Sequence, residues 1–145
     1  MKKIIIIGAG HGGIITSSIL SKNGFDITIY EKNKEDNLGY DWEDIFDITP
    51  FLKLGIPILK YKVNKQKNPM TIYNPSKKYK IKNKTNSRKI FMNRKELYKC
   101  LIDYAKESDV KFKFNSCVDD IIIKNDKVIG ITVDNKAVFA DLIID

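Results

Sequence analysis

The feature that most constrains this chain is a run of isoleucines followed at once by a cluster of glycines. Residues 3–7 read KIIII, a β-branched run that predicts a strand buried on both faces of a parallel sheet. Residues 8–13 read GAGHGG, and residues 11–23 carry apolar side chains at helical spacing up to the stop signal Asn23-Gly24. A second strand is predicted over Phe25–Tyr30. Strand, helix and strand in this order predict a right-handed βαβ unit.

Three glycines in this unit have the Gly-x-Gly-x-x-Gly spacing found in sites for adenine dinucleotides. Gly8 permits the tight turn, Gly10 lets a diphosphate approach the backbone, and Gly13 lets the helix pack closely against the strand. Free amide groups and the positive end of the helix dipole would hold the phosphates without a lysine. The alternative is that the glycines serve only the turn. We favour the dinucleotide site, whose predicted loop contacts are Gly8, Ala9, Gly10, His11, Gly12 and Gly13.

The end of the second strand supplies the group expected to bind the ribose. Glu31 lies 21 residues after Gly10, where a carboxylate can accept hydrogen bonds from both hydroxyls of an adenosine ribose. A 2′-phosphate would meet like charge there, which disfavours NADP, and the adjacent Lys32 is a further predicted cofactor contact. The alternative for Glu31 is a solvated strand end. His11 lies beside the helix N-terminus, where the dipole disfavours its charged form, so we expect a neutral loop residue without a catalytic role.

The pattern downstream of the βαβ unit is less regular. Residues 32–56 are polar and acidic, with a short apolar piece around residues 51–54. Between residues 57 and 92, short β-like runs interrupted by prolines predict an inserted antiparallel segment, which we interpret as part of a substrate domain. The runs are Ile58–Val63, Met70–Asn74, Tyr79–Lys82 and Lys89–Met92.

A helix and a further set of strands follow this insertion. Asn93 opens the capping-box-like sequence NRKE, in which its side chain would accept from the amide three residues on. The apolar spacing then predicts an amphipathic helix over residues 94–107, and Val110–Phe114 predicts a strand of the parallel sheet. Three strand-like runs separated by turn pairs predict a meander, and a buried strand ends the sequence. These are Cys117–Ile123, Val128–Val133, Ala137–Phe139 and Leu142–Ile144.

The predicted fold class is therefore α/β. It combines a Rossmann-like βαβ unit, a parallel sheet, an antiparallel three-stranded meander and a β-rich insertion in one FAD- or NAD(P)-binding domain over residues 1–145. Because the apolar strand at residues 142–144 has no helix after it to cover it, we expect an N-terminal fragment of a longer polypeptide.

Composition limits the class of protein further. A hydrophobic fraction of 43% is enough for a core, and no apolar run approaches the roughly 20 residues of a membrane-spanning helix, so we expect a cytoplasmic protein. Two cysteines and one histidine are too few soft ligands for a zinc or iron–sulfur site, so we predict no metal and a pair of reduced thiols rather than a disulfide. Residues 60–95 contain 13 Lys or Arg and no acid. This stretch could attract nucleic acid or an anionic lipid surface, but we favour a lysine-rich composition bias.

The order of these elements resembles the superfamily of FAD-dependent oxidoreductases that includes p-hydroxybenzoate hydroxylase and geranylgeranyl reductase. NAD dehydrogenases usually continue from the second strand with further helices instead of a meander. The pieces that carry the resemblance span almost the whole chain, and they are IIIIGAGHGG, IYEK, MNRKELYKCLIDYA, FNSCVDDIIIKNDKVIGITV and ADLIID.

The resemblance implies FAD as the cofactor and adds two candidate contacts. Arg94 matches an arginine near the FAD pyrophosphate, where a guanidinium would complement two phosphate charges. Val118 matches a position at which the strand backbone pairs with the adenine edge. Residues 38–47 depart from the family, which often has a Gly-rich or arginine-bearing loop there. Trp42 lies in this departure, and we expect it to pack the loop rather than to cover the flavin or a substrate.

The function expected is that of the FAD-binding portion of an oxidoreductase, either geranylgeranyl-reductase-like or aromatic-hydroxylase-like, and inactive as this piece alone. Its substrate would be a small isoprenoid or aromatic molecule, and NAD or NADP would donate electrons elsewhere in the protein. The sequence identifies no catalytic acid or base. Three alternatives remain open at this point: an NAD-dependent dehydrogenase domain, a non-catalytic nucleotide- or nucleic-acid-binding module, and a flavoprotein acting on RNA.

Overall fold

The structure is a computed structural model that describes residues 1–61, 64–65, 70–83 and 89–145. No helix in these ranges is long and apolar enough to cross a membrane. In chain order the elements are β1 (Lys3–Ile7), α1 (His11–Lys22), β2 (Asp26–Tyr30), β3 (Glu43–Asp47), α2 (Thr49–Leu54), β4 (Asn64–Lys65), β5 (Met70–Tyr73), β6 (Lys80–Asn83), β7 (Lys89–Asn93), α3 (Arg94–Lys106), β8 (Lys111–Lys113), β9 (Val118–Lys124), β10 (Lys127–Val133), β11 (Lys136–Phe139) and β12 (Leu142–Ile144).

A four-stranded parallel sheet in the order β12-β1-β2-β8 forms the centre of the fold. β1 pairs with β2 on one side and with β12 on the other, so that Ile4 lies between Ile27 and Leu142. Ile4 and Ile6 face the core beneath the helices, whereas Ile5 faces the core beneath the meander. All three are buried. The prediction of a β-branched strand covered on both faces is therefore confirmed.

Helices α1 and α3 pack against each other and contribute buried side chains to the larger hydrophobic core. Each ends one residue before its predicted end, and Gly24, with φ of +85°, follows α1 as expected of a helix stop. The cap of α3 differs from the prediction. The side chain of Asn93 accepts from the amide of Lys95, two residues on instead of three, while its own amide group donates to Asp41 Oδ1 at 2.7 Å.

The meander forms a separate antiparallel sheet in the order β11-β10-β9, which confirms the predicted hairpins. Its buried side chains, Ile131 and Val133, pack with Ile5 of β1 in a second hydrophobic cluster. Gly130 permits the close contact of β10 and β11, because a Cβ at that position would overlap the carbonyl oxygen of Val138. The meander thus covers the face of the parallel sheet opposite the helices.

The insertion contains both confirmed and wrong predictions. β5 and β6 form the predicted antiparallel hairpin, and β7 lies where residues 89–92 predicted a strand. The strand predicted over Ile58–Val63 is wrong, because Ile58–Lys60 forms a 3₁₀ turn, while residues 62 and 63 lie outside the described residues. β3 lies within the polar stretch that predicted no strand, and it pairs antiparallel with β7. The assignment of this insertion to a substrate domain stays a prediction.

Candidate functional site

The glycine loop joins β1 to α1 in the manner that its spacing predicted. Gly8 has φ of +89°, a backbone conformation that side chains disfavour, and its amide donates to the carbonyl of Tyr30 at 2.7 Å. A Cβ at Gly13 would overlap the carbonyl oxygen of Gly8 and would lie 3.3 Å from Ile6 Cγ2. Gly13 is therefore the position at which the helix approaches the strand too closely for any side chain.

The first turn of α1 is open and suited to an anion. Gly10 is the N-cap residue, with φ of −72° and ψ of 171°, and a Cβ placed on it would have no heavy atom within 4 Å among the described residues. The first hydrogen bond of the helix runs from the amide of Ile14 to the carbonyl of Gly10 at 3.0 Å. The amides of His11, Gly12 and Gly13 therefore lack an acceptor within the helix. No acidic residue occupies the first turn, so no carboxylate there opposes a phosphate.

Glu31 lies directly beside this loop and is buried, with 7% of its surface exposed. Its Oε2 accepts from the amide of Ala9 at 2.8 Å, and its Oε1 accepts from the backbone amide and the side-chain amide of Asn33, both at 2.8 Å. The alternative of a solvated strand end is therefore wrong. A carboxylate has about four acceptor positions, and protein groups use three of them. About one remains for a ligand, so simultaneous acceptance from two ribose hydroxyls stays a prediction.

His11 turns its ring away from solvent and onto α3. The ring centroid lies 4.5 Å from that of Tyr98, and Nε2 is buried without a hydrogen-bond partner in the described part of the chain. Burial lowers the pKa of His11, and the positive charge of Arg94 lowers it further. The imidazole is thus held neutral, as predicted, although packing and Arg94 are the causes rather than the helix dipole alone.

Arg94 begins α3, and its guanidinium pairs with Asp44 of β3. The Nη2 atom lies 2.6 Å and the Nε atom 3.1 Å from the same carboxylate oxygen, Asp44 Oδ2. Hydrogen bonding to Arg94 holds the pKa of the partly buried Asp44 below its usual value. The predicted contact of Arg94 with a pyrophosphate stays a prediction, and the structure adds that Asp44 already neutralises part of its charge.

Tyr98 is a member of the site that sequence reasoning missed. It lies four residues after Arg94 on α3, a spacing that places both side chains on the same helix face and that could have identified it. Burial raises the pKa of Tyr98, the charge of Arg94 opposes this change, and Glu31 and Tyr40 add to it. The ring contact with His11 places Tyr98 beside the first turn of α1.

The loop before β3 is fastened to the start of α3. Gly39, with φ of +76°, comes so close to α3 that a Cβ on it would lie 2.8 Å from the carbonyl oxygen of Arg94. The amide of Arg94 donates to the carbonyl of Trp42 at 2.9 Å, and the amide of Trp42 donates to the carbonyl of Tyr40 at 2.8 Å. Trp42 is nevertheless 66% exposed. The expectation that Trp42 packs the loop is wrong, because backbone hydrogen bonds hold the loop and leave the indole outside.

The two remaining candidates lie at the edges of this region. Lys32 follows Glu31 and is exposed. Val118 begins β9 opposite Val133 and packs against the smaller core. The preceding segment is tied to β2, because the amide of Ser116 donates to the carbonyl of Glu31 at 2.9 Å. The structure thus brings the start of β9 to Glu31, while the cofactor contacts of Lys32 and Val118 stay predictions.

The two cysteines are free, with Cys100 buried in α3 and Cys117 exposed before β9. The described residues contain no group of three or more His, Cys, Asp or Glu side chains that could hold a metal ion.

Sequence comparison finds similarity to known proteins in the N-terminal part of the chain. Residues 6–59 match the model of the NAD(P)-binding Rossmann-like domain. The chain is 56% identical over 32 residues to a 4,4′-diaponeurosporene oxygenase from Staphylococcus haemolyticus and to a phytoene desaturase from Fusarium fujikuroi. Those 32 residues are 22% of this chain and 6% of either relative.

Structural comparison extends the likeness to nearly the whole chain. A 2-methyl-3-hydroxypyridine-5-carboxylic acid oxygenase has a TM-score of 0.76 at 20% identity, covering 99% of this chain and 38% of that one. A geranylgeranyl bacteriochlorophyll reductase-like protein from Thermoplasma acidophilum has a TM-score of 0.76 at 20% identity, covering 98% of this chain and 38% of that one. PqsL from P. aeruginosa has a TM-score of 0.80 at 12% identity, covering 98% of this chain and 41% of that one.

These likenesses include the parallel sheet, the meander and the returning strand, since they cover 98% or more of the chain. The predicted fold class is confirmed, and so is the predicted resemblance, since a geranylgeranyl reductase-like protein is among the structural neighbours. The chain therefore has a Rossmann-like fold that it shares with the pyridine-carboxylic acid oxygenase, PqsL and the reductase-like protein, and it spans about two fifths of their length.

Proposed function

We propose that this chain is the dinucleotide-binding part of a flavin-dependent oxidoreductase and that its dinucleotide is FAD. The observation that carries the proposal is the open first turn of α1 beside the buried carboxylate of Glu31. An anion binds favourably at such a turn, and a carboxylate at the end of β2 suits a ribose hydroxyl. The residues present therefore fit the adenosine diphosphate half of the cofactor.

Two further observations favour FAD. The solved oxygenase and the reductase-like protein match this chain through the meander and β12, which lie outside the βαβ unit common to dinucleotide-binding domains. The short matches to an oxygenase and a desaturase fall in the same broad class of redox enzymes. An NAD-binding domain is the second candidate, because the family model that matches residues 6–59 is described as NAD(P)-binding.

The protein groups would bind and orient the cofactor. The amides of His11, Gly12 and Gly13 would donate to the diphosphate, and Gly10 would leave room for its approach. Glu31 would accept from the ribose and, through Ala9, would fix the loop. The bound flavin would supply the transfer of a hydride or of single electrons. The described residues provide no acid–base pair that we assign to the reaction.

We include in this proposal a substrate class that is suggested by the similar proteins. An isoprenoid substrate agrees with the likeness to the desaturase and the reductase-like protein, and an aromatic substrate agrees with the likeness to the pyridine-carboxylic acid oxygenase. Because the chain covers about two fifths of the solved neighbours, we expect it to bind FAD without turning over a substrate by itself. NAD or NADP would donate electrons at another part of the protein.

Substitution of Gly10 by valine tests the phosphate site. The backbone of Gly10 is extended and the space around it is open, so the variant should fold as the wild type does. The new side chain would occupy the space that the diphosphate needs, and FAD affinity should fall by more than about tenfold, or about 1.4 kcal/mol. Isothermal titration calorimetry with FAD, ADP and NAD measures this loss and also ranks the cofactors.

Ala137→Val is the control, because it places a valine at an exposed position of β11. It should leave the affinity for FAD unchanged. A Gly10→Val protein that folds and binds FAD as tightly as the wild type would show that the phosphates lie elsewhere. A wild-type protein that binds NAD tightly and FAD not at all would favour the second candidate.

A further inference from the structure

Two large aromatic side chains project into solvent from a loop that is itself held firmly. Tyr40 is 77% exposed and Trp42 is 66% exposed. Three features attach their loop to the start of α3: the close approach of Gly39 to Arg94, the backbone hydrogen bond from Arg94 to Trp42, and the side-chain hydrogen bond from Asn93 to Asp41. Exposed aromatic rings on a fastened loop are typical of a binding surface rather than of a core.

These rings line an open groove next to the guanidinium of Arg94. The groove has a volume of about 530 Å³, within the usual range for small-molecule sites, and its lining residues are Tyr40, Asp41, Trp42 and Arg94. Asp44 holds the guanidinium in place. The groove therefore presents two flat rings and one oriented cation, a combination that suits a flat conjugated ring with hydrogen-bond acceptors at its edge.

Helix α3 links this groove to the proposed dinucleotide site, because Arg94 lines the groove and Tyr98, on the same helix, contacts His11. The charge of Arg94 acts on His11 at the start of α1, and Tyr98 lies between them, in ring contact with His11 and four residues after Arg94. Tyr40 and Glu31 both influence Tyr98 electrostatically. A ligand bound at the first turn of α1 and extending along α3 toward its start would approach Arg94 and the two exposed rings.

We infer that Tyr40 and Trp42 form a platform for the flavin ring of the bound FAD. This inference rests on the proposed function, because it assumes that the diphosphate lies at the first turn of α1. The exposed rings would stack on the isoalloxazine, and the donors of Arg94 that Asp44 does not use would face the acceptors at its edge. Trp42 is thereby assigned a role in binding and positioning the cofactor, whereas the sequence predicted that it packs the loop.

The experiment compares FAD with ADP, which has the same adenosine diphosphate half and no flavin ring. Trp42→Leu and Tyr40→Leu should each weaken FAD binding by about tenfold, the usual magnitude for the loss of one stacked ring, and should leave ADP binding unchanged. Tyr79→Leu is the matched control, because Tyr79 is 75% exposed but lies on the turn between β5 and β6. It should alter neither affinity.

Fluorescence supplies a second readout that does not depend on affinity. Trp42 is the single tryptophan of the chain, so its emission reports on this loop alone. Iodide should quench the emission of the free protein readily, because the indole is exposed. FAD should protect Trp42 from iodide, and ADP should not. Bound FAD should also emit more strongly in Trp42→Leu than in the wild type, because stacking on an indole quenches flavin emission.

The outcomes separate this inference from the proposed function. In one outcome, ADP and FAD both bind the wild type, but neither Leu variant weakens FAD binding and FAD does not protect Trp42 from iodide. The inference about Tyr40 and Trp42 is then wrong, while the proposed dinucleotide site is still supported. If the wild type binds neither FAD nor ADP, the proposed function fails and the platform fails with it. Thermal unfolding of each variant verifies that the substituted proteins are folded.

Discussion

His11 shows how one residue can link stability to pH. Its pKa is lowered in the folded protein, first by burial and then by Arg94, whereas in the unfolded chain it should titrate near the ordinary value of 6.5. Between these two pKa values the unfolded state binds more protons than the folded state. The free energy of unfolding should therefore fall as the pH is lowered through about 6.5 toward the folded pKa.

Urea denaturation at pH 7.5 and at pH 5.5 measures this effect, with His11→Gln as the comparison. The variant cannot take up the proton, so its stability should change less between the two pH values than that of the wild type. His11 is the single histidine of the chain, so no other imidazole contributes to the difference. Equal changes in both proteins would contradict the burial that the structure shows for the ring.

At the residue scale, the sequence predicts the groups whose roles depend on local backbone geometry. Gly8, Gly13 and Glu31 lie where the spacing predicts, because strand, turn and helix follow one another within the same stretch of chain. The roles of Tyr98 and Trp42 depend instead on how α3 and the loop before β3 pack in three dimensions. No local pattern shows that an indole stays outside when backbone hydrogen bonds hold its loop.

Two adjacent glycines allow a test at the scale of the β1–α1 element. A Cβ at Gly13 would overlap the carbonyl oxygen of Gly8, whereas a Cβ at Gly12 would meet no heavy atom within 4 Å in the described structure. Gly13→Ala should therefore destabilise the protein by about 1 to 3 kcal/mol through overpacking. Gly12→Ala should stabilise it by up to about 1 kcal/mol, because alanine favours the helix.

Urea unfolding followed by circular dichroism measures both changes in one series. Both substitutions add the same methyl group to the same helical turn, so the pair separates steric overlap from helix propensity. Similar stabilities for the two variants would mean that α1 does not approach β1 as closely as the structure shows.

The elements that could be predicted are those with strong periodicity or caps. α1 and α3 begin at the predicted residues, and the meander follows its turn pairs. β3 could not be predicted, because its sequence EDIFD is largely acidic and becomes a strand through pairing with β7. Ile58–Lys60 begins a run that predicts a strand, but it forms a 3₁₀ turn after Pro57, with Ile58 buried in the core. Tertiary contacts override local propensity in both cases.

The reactivity of the two cysteines can show whether the whole molecule unfolds cooperatively. Cys100 is completely buried in α3, and burial raises the pKa of its thiol to about 12, with contributions from Asp103 and Glu107. Cys117 is exposed. N-ethylmaleimide should therefore label Cys117 in the native protein, and Cys100 should react only when the chain unfolds, because a thiol must be both accessible and deprotonated to react.

Mass spectrometry counts the labelled thiols at increasing urea concentration. The second adduct should appear along the same transition as the loss of helical circular dichroism. Rapid double labelling without urea would mean that α3 opens independently of the rest of the fold.

At the scale of the whole molecule, the α/β class and the parallel sheet follow from the order of the patterns along the chain. The packing of the meander on the face of β1 that carries Ile5 could not be read from that order, because it joins residues more than a hundred positions apart. The same holds for the groove at Arg94, which combines residues of the loop before β3 with a guanidinium of α3 that Asp44 of β3 holds in place.

The pairing of β12 with β1 also affects how the protein is made. Ile4 lies opposite Leu142, and the amide of Lys3 donates to Asp141 Oδ2 at 2.7 Å across 138 positions of sequence. Ribosomes add about 5–20 residues per second, so the first strand emerges on the order of ten seconds before its last neighbour exists. During that interval one backbone edge of an isoleucine-rich strand is free to pair with another nascent chain. Chaperone capture of the N-terminal segment during translation would protect it until synthesis reaches residue 144.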